Sequence, residues 1–211
     1  MAESSNLDDI VVEQQVIERG MEDIDMGPLY KAISDNNWPA AEAFINRHHV
    51  DFNVEYWSSK GRTPLHVAAG FGHEGMVQGL VRLEDEEYLE IYDALGKTPL
   101  IVAAEVSGVI LVAEFLINKN KKALEISAKQ DGEDLLPVQL AIVVGHKEIG
   151  RHLYKFTPPH LFIENHDRTS SFLTLCLTNG VLGNILVDNT QAFTKKKSFC
   201  SESFIKKNKE S

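Results

Sequence analysis

The chain is poor in cysteine and has no long apolar run. Its 211 residues include two cysteines, Cys176 and Cys200, which are too few for a disulfide framework and lie in no spacing typical of metal ligands. No stretch approaches the roughly 18 consecutive apolar residues of a membrane-spanning helix. The first residues show neither a secretion signal nor a Met-Gly start for myristoylation. These absences favour a protein of the reducing cytoplasm with no membrane span in this chain.

Basic residues are in the minority. The chain has 21 Lys and Arg against 31 Asp and Glu, a net charge of −10, which argues against nucleic acid as the main partner. Residues 1–27 hold eight acids and one arginine, whereas residues 189–211 hold six lysines and two glutamates. Because such charged segments bury little apolar surface, we predict a mostly disordered acidic leader (1–27) and a disordered basic tail (189–211). A nuclear signal or contact with an anionic membrane is the alternative for the tail.

What the sequence does contain is a short helix motif at residues 61–73. This stretch reads GRTPLHVAAGFGH and includes the T-P-L-H-x-A signature of ankyrin repeats. The hydroxyl of Thr63 can cap a helix, and Pro64 suits a first helical turn, where no backbone N–H is needed. The small alanines that follow let a neighbouring helix approach, and Gly72 supplies a left-handed turn. A phosphate-binding loop is disfavoured, because no Lys-Ser/Thr pair follows the glycines.

The motif recurs at nearly the ankyrin spacing. The equivalent prolines lie 35 to 38 residues apart, at Pro28, Pro64, Pro99 and Pro137, against an ankyrin period of about 33. Eight residues after each proline stand residues that tolerate a turn, namely Asn36, Gly72, Ser107 and Gly145. Apolar patterns at 40–45, 76–81 and 111–116 predict a second helix in each unit, and the fourth unit has a thinner one that Gly150 interrupts. We predict an all-α ankyrin-repeat solenoid of stacked helix–turn–helix units joined by β-turn fingers.

The repeat predicts one stack over residues 28–188. Its units lie near 28–60, 61–95, 96–133 and 134–156, followed by a degenerate unit at 169–188. In that last unit Phe172 and Gly180 are in register, but a second helix would place Asn184 and Asp188 at apolar positions. Because solenoids need polar caps, we expect this end to fray or self-associate. The longest connection, 118–134, is predicted to be an exposed loop with a turn at Asp131-Gly132.

Two residues before each helix-ending turn are predicted to face the concave side of the stack. They are the pairs 34–35, 70–71, 105–106 and 143–144, and three of the four pairs carry a large apolar residue. Basic finger residues flank them, so the predicted partner-binding groove comprises Lys60, Arg62, Phe71, Lys97, Glu105, Val106, Val143 and Val144. We expect it to bind an apolar segment with acidic flanks. The alternative is that the connections fold back and cover the apolar side chains.

No pattern of residues indicates catalysis. His66 lies inside the motif, where we interpret it as an internal hydrogen-bonding group, and no triad partner accompanies it in a recognisable order. His48 and His49 lack a third metal ligand, and the acids at 84–87 read as a solvated loop. We therefore predict a protein that is not an enzyme, with no cofactor and no metal site.

Three stretches carry a resemblance to a known family. KGRTPLHVAAGFGH (60–73) is generic to ankyrin repeats, whereas DEEYLEIYDALGKTPL (85–100) and LLPVQLAIVVGHKE (135–148) are more family-specific. They resemble the ankyrin repeats of the plant family that carries a C-terminal multi-span PGG membrane domain. The resemblance implies a protein-binding adaptor in stress or defence signalling. The chain departs from the family in that it stops where further repeats and the membrane domain would be expected. The alternative is therefore a truncated form of a membrane-anchored ankyrin signalling protein that lacks its membrane domain. Full-length relatives are expected at the plasma membrane or other membranes.

Overall fold

Successive helix pairs form the body of the structure. The computed structural model describes residues 25–50, 61–130, 132–163 and 166–181. The first helices of units one to four are α1 (Gly27–Ser34), α3 (Pro64–Phe71), α5 (Pro99–Val102) and α7 (Pro137–Val143). The second helices are α2 (Trp38–His48), α4 (Glu74–Leu83), α6 (Ile110–Lys119) and α8 (Lys147–Phe156). Two further helices follow them, α9 (His160–Ile163) and α10 (His166–Thr178).

The predicted all-α repeat solenoid is confirmed. Each first helix packs against the first helix of the next unit, and second helices pack alongside in the same order. One apolar core runs through the units and includes a buried alanine at the same position of each first helix, which permits close approach of helices. The predicted acidic leader, apart from residues 25–27, and the whole predicted basic tail lie outside the described residues, as do finger residues 51–60.

The first helices begin at capped turns. The Oγ1 of Thr63 accepts the backbone N–H of His66 at 3.4 Å, and Thr98 caps unit three in the same way. The proline that follows each threonine costs no hydrogen bond, because a backbone N–H at this first helical position would have no partner in the helix. Unit four has Leu136 at this position, and the Oε1 of Gln139 instead accepts the N–H of Leu136 at 3.1 Å. The hydroxyl cap predicted for Thr63 is confirmed.

Most first helices end in the same left-handed turn. In unit two, the N–H of Gly72 donates to the carbonyl of Ala69 and the N–H of His73 to that of Ala68, both at 3.2 Å. The same pair of bonds closes α1, α7 and α10. The φ angle of the turn residue is positive each time: 53° at Asn36, 73° at Gly72, 90° at Gly145 and 67° at Gly180. These residues stand at the positions that the repeat predicts.

Unit three departs from that register. Its first helix continues from α5 into a π turn over Ala103–Ser107, and the left-handed residue is Gly108, with φ of 66°. The N–H of Gly108 donates to the carbonyl of Ala103 at 2.9 Å, five residues back. The turn predicted at Ser107 is therefore wrong by one position, because this unit holds one extra residue that a π turn accommodates.

Histidines after the turns tie neighbouring units together. The Nε2 of His73 lies 3.1 Å from the carbonyl oxygen of Ser34 in unit one. The Nδ1 of His146 lies 3.0 Å from the carbonyl oxygen of Ala104 in unit three. A carbonyl oxygen only accepts, so we infer that each ring nitrogen donates.

Two glycines in second helices mark close contacts. A Cβ on Gly79 of α4 would lie 2.5 Å from ring carbons of Trp38 in α2. A Cβ on Gly150 of α8 would lie 2.8 Å from the Cγ1 of Ile142 in α7. Gly150, which interrupts the apolar pattern in the sequence, thus lies at a close contact between the two helices of unit four.

The connection between α6 and α7 is more ordered than predicted. It contains a 3-10 helix (Lys121–Leu124) and an antiparallel hairpin of β1 (Ala128–Gln130) and β2 (Glu133–Leu135). Gly132, with φ of 89°, lies at the predicted turn. Ala123, Leu124 and Ala128 are buried in apolar surroundings. The expectation of an exposed loop is wrong for these three residues, because their side chains join the core.

Helix α10 covers the end of unit four. The ring of Phe172 lies 4.7 Å from that of Phe162 and 5.5 Å from that of Tyr154, measured between centroids. Cys176 and Val181 are also buried there. This aromatic cluster joins α10 to the second helix of unit four. Residues 182–188, where the degenerate unit lacks an apolar second helix in the sequence, lie outside the described residues.

Candidate partner-binding surface

His66 belongs to the interior. Its ring Nε2 lies 2.9 Å from the carbonyl oxygen of Lys97 in unit three, and its Nδ1 lies 2.8 Å from the Oγ1 of Thr63. Because the carbonyl only accepts, we infer that Nε2 carries the proton. Nδ1 then accepts, and the backbone N–H of Thr63 reaches it at 3.3 Å. The interpretation of His66 as an internal hydrogen-bonding group is confirmed.

The buried ring of His66 predicts a pH-dependent stability. Burial lowers the pKa of His66 from 6.5 to about 4. The unfolded chain takes up a proton here as the pH falls through 6.5, whereas the folded chain does so only near pH 4. The contribution of this pKa shift to the free energy of unfolding is therefore complete above pH 6.5. It is lost progressively towards pH 4, by about 3 kcal/mol in all.

Urea unfolding at a series of pH values checks this expectation. His66→Gln should lower the free energy of unfolding near neutral pH and flatten its decline on acidification, because the titrating ring is gone. His160→Gln, at an exposed position of α9, serves as the matched control and should keep the wild-type slope. An unchanged slope in His66→Gln would contradict the assignment.

Apolar side chains line the ends of three adjacent first helices. Phe71 is 56% exposed, Val106 52%, Val143 37% and Val144 39%. We call these four residues the apolar row. The ring of Phe71 stacks on that of His73, with centroids 5.3 Å apart. The connections among the described residues do not cover the row, since all four side chains are exposed; the connection at 51–60 lies outside the described residues.

The π turn of unit three brings an ion pair beside the row. Glu105 lies within the π turn, and its carboxylate oxygens lie 2.7 and 2.5 Å from the Nζ of Lys97 in the preceding finger. Both side chains are half-buried. Sequence reasoning placed both residues in the groove but missed their pairing. The available signal was the spacing of nine residues from Pro99 to Gly108, where the other units have eight.

The predicted basic flank is largely neutralised. Besides Lys97, Arg62 also meets an acid, since its Nε lies 3.2 Å from the Oδ2 of the buried Asp93. The other oxygen of Asp93 accepts the N–H groups of Leu95 and Lys97 at 2.9 and 3.0 Å, which fixes the finger turn. Lys60 lies outside the described residues. With Arg62 and Lys97 both paired, the expectation that the partner has acidic flanks loses its basis.

Two further features of the described residues carry reactive or charged groups. Burial raises the pKa of the Cys176 thiol to about 11, so it stays protonated and weakly nucleophilic at neutral pH. An open cleft of about 290 Å³ is lined by residues of β2, α7 and α10, including Glu133, Asp167 and Arg168. Across the described ranges, no three His, Cys, Asp or Glu side chains are placed to hold a metal ion.

Comparison with known proteins gives a consistent result. Residues 1–93 match a family model described as ankyrin repeats in three copies. Rabankyrin-5 of Homo sapiens is 39% identical over 85 residues, which cover 36% of this chain and 7% of that protein. Rabankyrin-5 of Mus musculus is 28% identical over 137 residues, which cover 60% of this chain and 11% of that protein. The chain thus spans a small fraction of the length of these relatives.

In the part of the chain that the structure describes, no helix has both the length and the apolar character to cross a membrane.

Proposed function

Because the chain carries ankyrin repeats, which are protein–protein interaction modules, we propose that it binds an apolar segment of a partner protein along the apolar row. Ankyrin-repeat domains are generally non-catalytic, so the proposed role is that of a rigid adaptor. The observation that carries the proposal is the exposure of Phe71, Val106, Val143 and Val144 at the ends of adjacent first helices. Exposed apolar groups in a row mark interaction sites, since covering them removes apolar surface from water.

The chemistry of the row favours an uncharged segment. Glu105, which precedes Val106 in the chain, pairs with Lys97, and the two charges neutralise each other. An acidic flank on the partner would compete with Glu105 for Lys97, and a basic flank would compete with Lys97 for Glu105. A partner segment with apolar side chains and polar, uncharged neighbours leaves the ion pair of Lys97 and Glu105 intact. We therefore propose this class of segment in place of the acidic-flanked one.

A displayed library of random peptides tests the proposal. Selection on the wild-type chain should enrich apolar, uncharged segments. Phe71→Ser combined with Val106→Ser should weaken binding of the enriched peptides by about tenfold or more, because truncation of central apolar contacts costs on this order. The thermal midpoint should change little, since both side chains are exposed.

Leu83→Ser provides the matched control. Leu83 is also a large exposed apolar residue, but it lies at the end of α4 and outside the row. Enriched peptides should bind this variant as they bind the wild type. Equal loss of binding in both variants, or enrichment of charged peptides, would overturn the assigned surface. Lys97 is left unchanged, because Lys97→Glu would put a second carboxylate beside Glu105.

We also propose a cellular role, which is more specific than protein binding. The resemblance of residues 85–100 and 135–148 to the plant PGG family supports a cytoplasmic adaptor in stress or defence signalling. The alternative within the same proposal is a shortened form of a membrane-anchored protein. Full-length transcripts from the source tissue distinguish the two. Transcripts that encode apolar spans beyond residue 188 favour the membrane-anchored alternative.

A further inference from the structure

Helix α10 stands in the stack as a first helix does. It packs against α7, as each earlier first helix packs against the one before it. It ends in the same left-handed turn, with the N–H of Gly180 donating to the carbonyl of Leu177 at 3.2 Å and the N–H of Val181 to that of Cys176 at 2.9 Å. The repeat position of every residue in α10 can therefore be compared with the four units before it.

Two positions change their burial at α10. The position after the motif proline is at most 1% exposed at Leu29, Leu65, Leu100 and Val138, and the position four residues later is fully buried at Ile33, Ala69, Ala104 and Ile142. The equivalent residues of α10 are Leu173, which is 44% exposed, and Leu177, which is 63% exposed. The repeat buries these positions in every earlier unit, whereas among the described residues nothing covers Leu173 and Leu177.

The opposite end of the stack shows which direction this interface faces. The motif proline position is buried at Pro64, Pro99 and Pro137 and at the equivalent Phe172, but it is exposed at Pro28 in unit one. This position therefore faces the preceding unit. Leu173 and Leu177 lose their burial only at the last described helix, so their side of the helix faces onward.

From residue 169 onward, the face of α10 that carries Leu173 and Leu177 is uncharged. Residues 169–181 contain no Asp, Glu, Lys, Arg or His, although a quarter of the chain is charged. Ser170 and Thr174 are exposed on the same helix. The Oγ1 of Thr174 donates to the carbonyl of Ser170 at 2.8 Å, and the Oγ1 of Thr178 donates to that of Thr174 at 3.0 Å. Because these hydroxyl protons are bonded within the helix, the face can be covered by apolar groups without losing them.

The segment that follows in this chain is poorly suited to cover the face. In the repeat register its second helix would present Asn184 and Asp188 where the complete units have apolar residues. The remaining residues, 189–211, carry six lysines, which are costly to bury unpaired. A second copy of the chain, in contrast, brings the same uncharged apolar face, and two such faces meet without like-charge repulsion.

We propose that two copies of this chain associate end to end through α10. The two helices pack antiparallel about a two-fold axis between Leu173 and Leu177, so that each Leu173 contacts the partner's Leu177. Such an isologous contact uses one patch twice. The small Ser170 and Thr174 side chains allow the helices to approach closely. A single helix pair buries less than the roughly 1,600 Å² of a standard stable interface, so the dimer is weak and concentration-dependent.

Sedimentation equilibrium of the full chain, from about 1 µM to about 500 µM, tests the proposal. The wild type should pass from monomer to dimer within this range. Leu177→Asp should weaken dimerisation by about a hundredfold, because the two-fold axis places each substitution in the interface twice. Leu83→Asp, at an exposed leucine of α4, should dimerise as the wild type does. Unchanged circular dichroism melting would show that each variant is folded.

Cross-linking gives a second readout. Leu173→Cys and Leu177→Cys chains, mixed in a Cys200→Ser background, should form a disulfide between the two variants under mild oxidation, because the proposal places these positions opposite each other. A mixture of Leu173→Cys and Leu83→Cys chains in the same background should not. A wild-type chain that remains monomeric throughout overturns the proposal, as does dimerisation that Leu177→Asp leaves unchanged. Dimerisation that appears only when residues 182–211 are removed also overturns it, because the chain's own tail would then be the occupant.

Discussion

Ala103→Glu is expected to unfold the stack. Ala103 is fully buried at the start of the π turn, in the core shared by the first helices. The glutamate side chain would need space that close-packed neighbours occupy, and its carboxylate would lie among apolar groups. An unpaired charge in such a site costs about 4 kcal/mol or more. Since domains of this kind have about 5–15 kcal/mol of stability in total, most of it would be lost.

Chemical unfolding followed by circular dichroism measures this effect. Ala40→Glu is the matched control, because Ala40 is exposed in the first turn of α2 and a negative charge is favourable near a helix N-terminus. The control should unfold at the wild-type urea concentration. If Ala103→Glu also unfolds at the wild-type urea concentration, Ala103 does not lie in the tight contact between helices.

Gly72→Ala is expected to have the second-largest effect. Its φ of 73° favours glycine, and an added Cβ would lie 2.8 Å from the Cγ2 of Val109 and 3.2 Å from the Cβ of Ser107, both in the next unit. The left-handed backbone alone costs about 1 kcal/mol for alanine. Displacing a β-branched side chain in a packed contact adds about 2 kcal/mol. We therefore expect the free energy of unfolding to fall by about 3 kcal/mol.

Gly96→Ala separates the two contributions. Gly96 has nearly the same φ, 70°, but an added Cβ there would meet nothing within 4 Å. It should show the backbone cost alone. The difference in unfolding free energy between the two variants then measures the contact between units two and three. Equal losses in both would show that Gly72 is needed only for its turn.

The repeat architecture could be predicted because its signals are local. Thr63, Pro64 and Gly72 each fix one step of the chain: a cap, a first turn and a left-handed end. The same residue types recur at a constant interval, so one motif predicted the other units. His66 could also be assigned to the interior, because the motif pairs it with a capping threonine within one helical turn.

The candidate surface was harder to predict because it depends on distances across units. The exposure of Phe71, Val143 and Val144 could be predicted, since their positions follow from the register. The extra residue before Gly108 shifted the turn of unit three, and a count of eight residues could not reveal the contact between Glu105 and Lys97. The exposed Leu173 and Leu177 are of the same residue type as many buried side chains, so only their surroundings in three dimensions distinguish them.

The hydrogen bond from His66 to the carbonyl of Lys97 bears on how the chain folds during synthesis. A ribosome releases the chain from its N-terminus, so the helices of unit two emerge before Lys97 does. Until then the buried Nε2 proton of His66 has no acceptor from unit three, and the ring favours an open, hydrated arrangement. We therefore expect the ring of His66 to complete its burial only after the finger of unit three is translated. Folding on the ribosome should accordingly lag translation by about one repeat, roughly 33 residues.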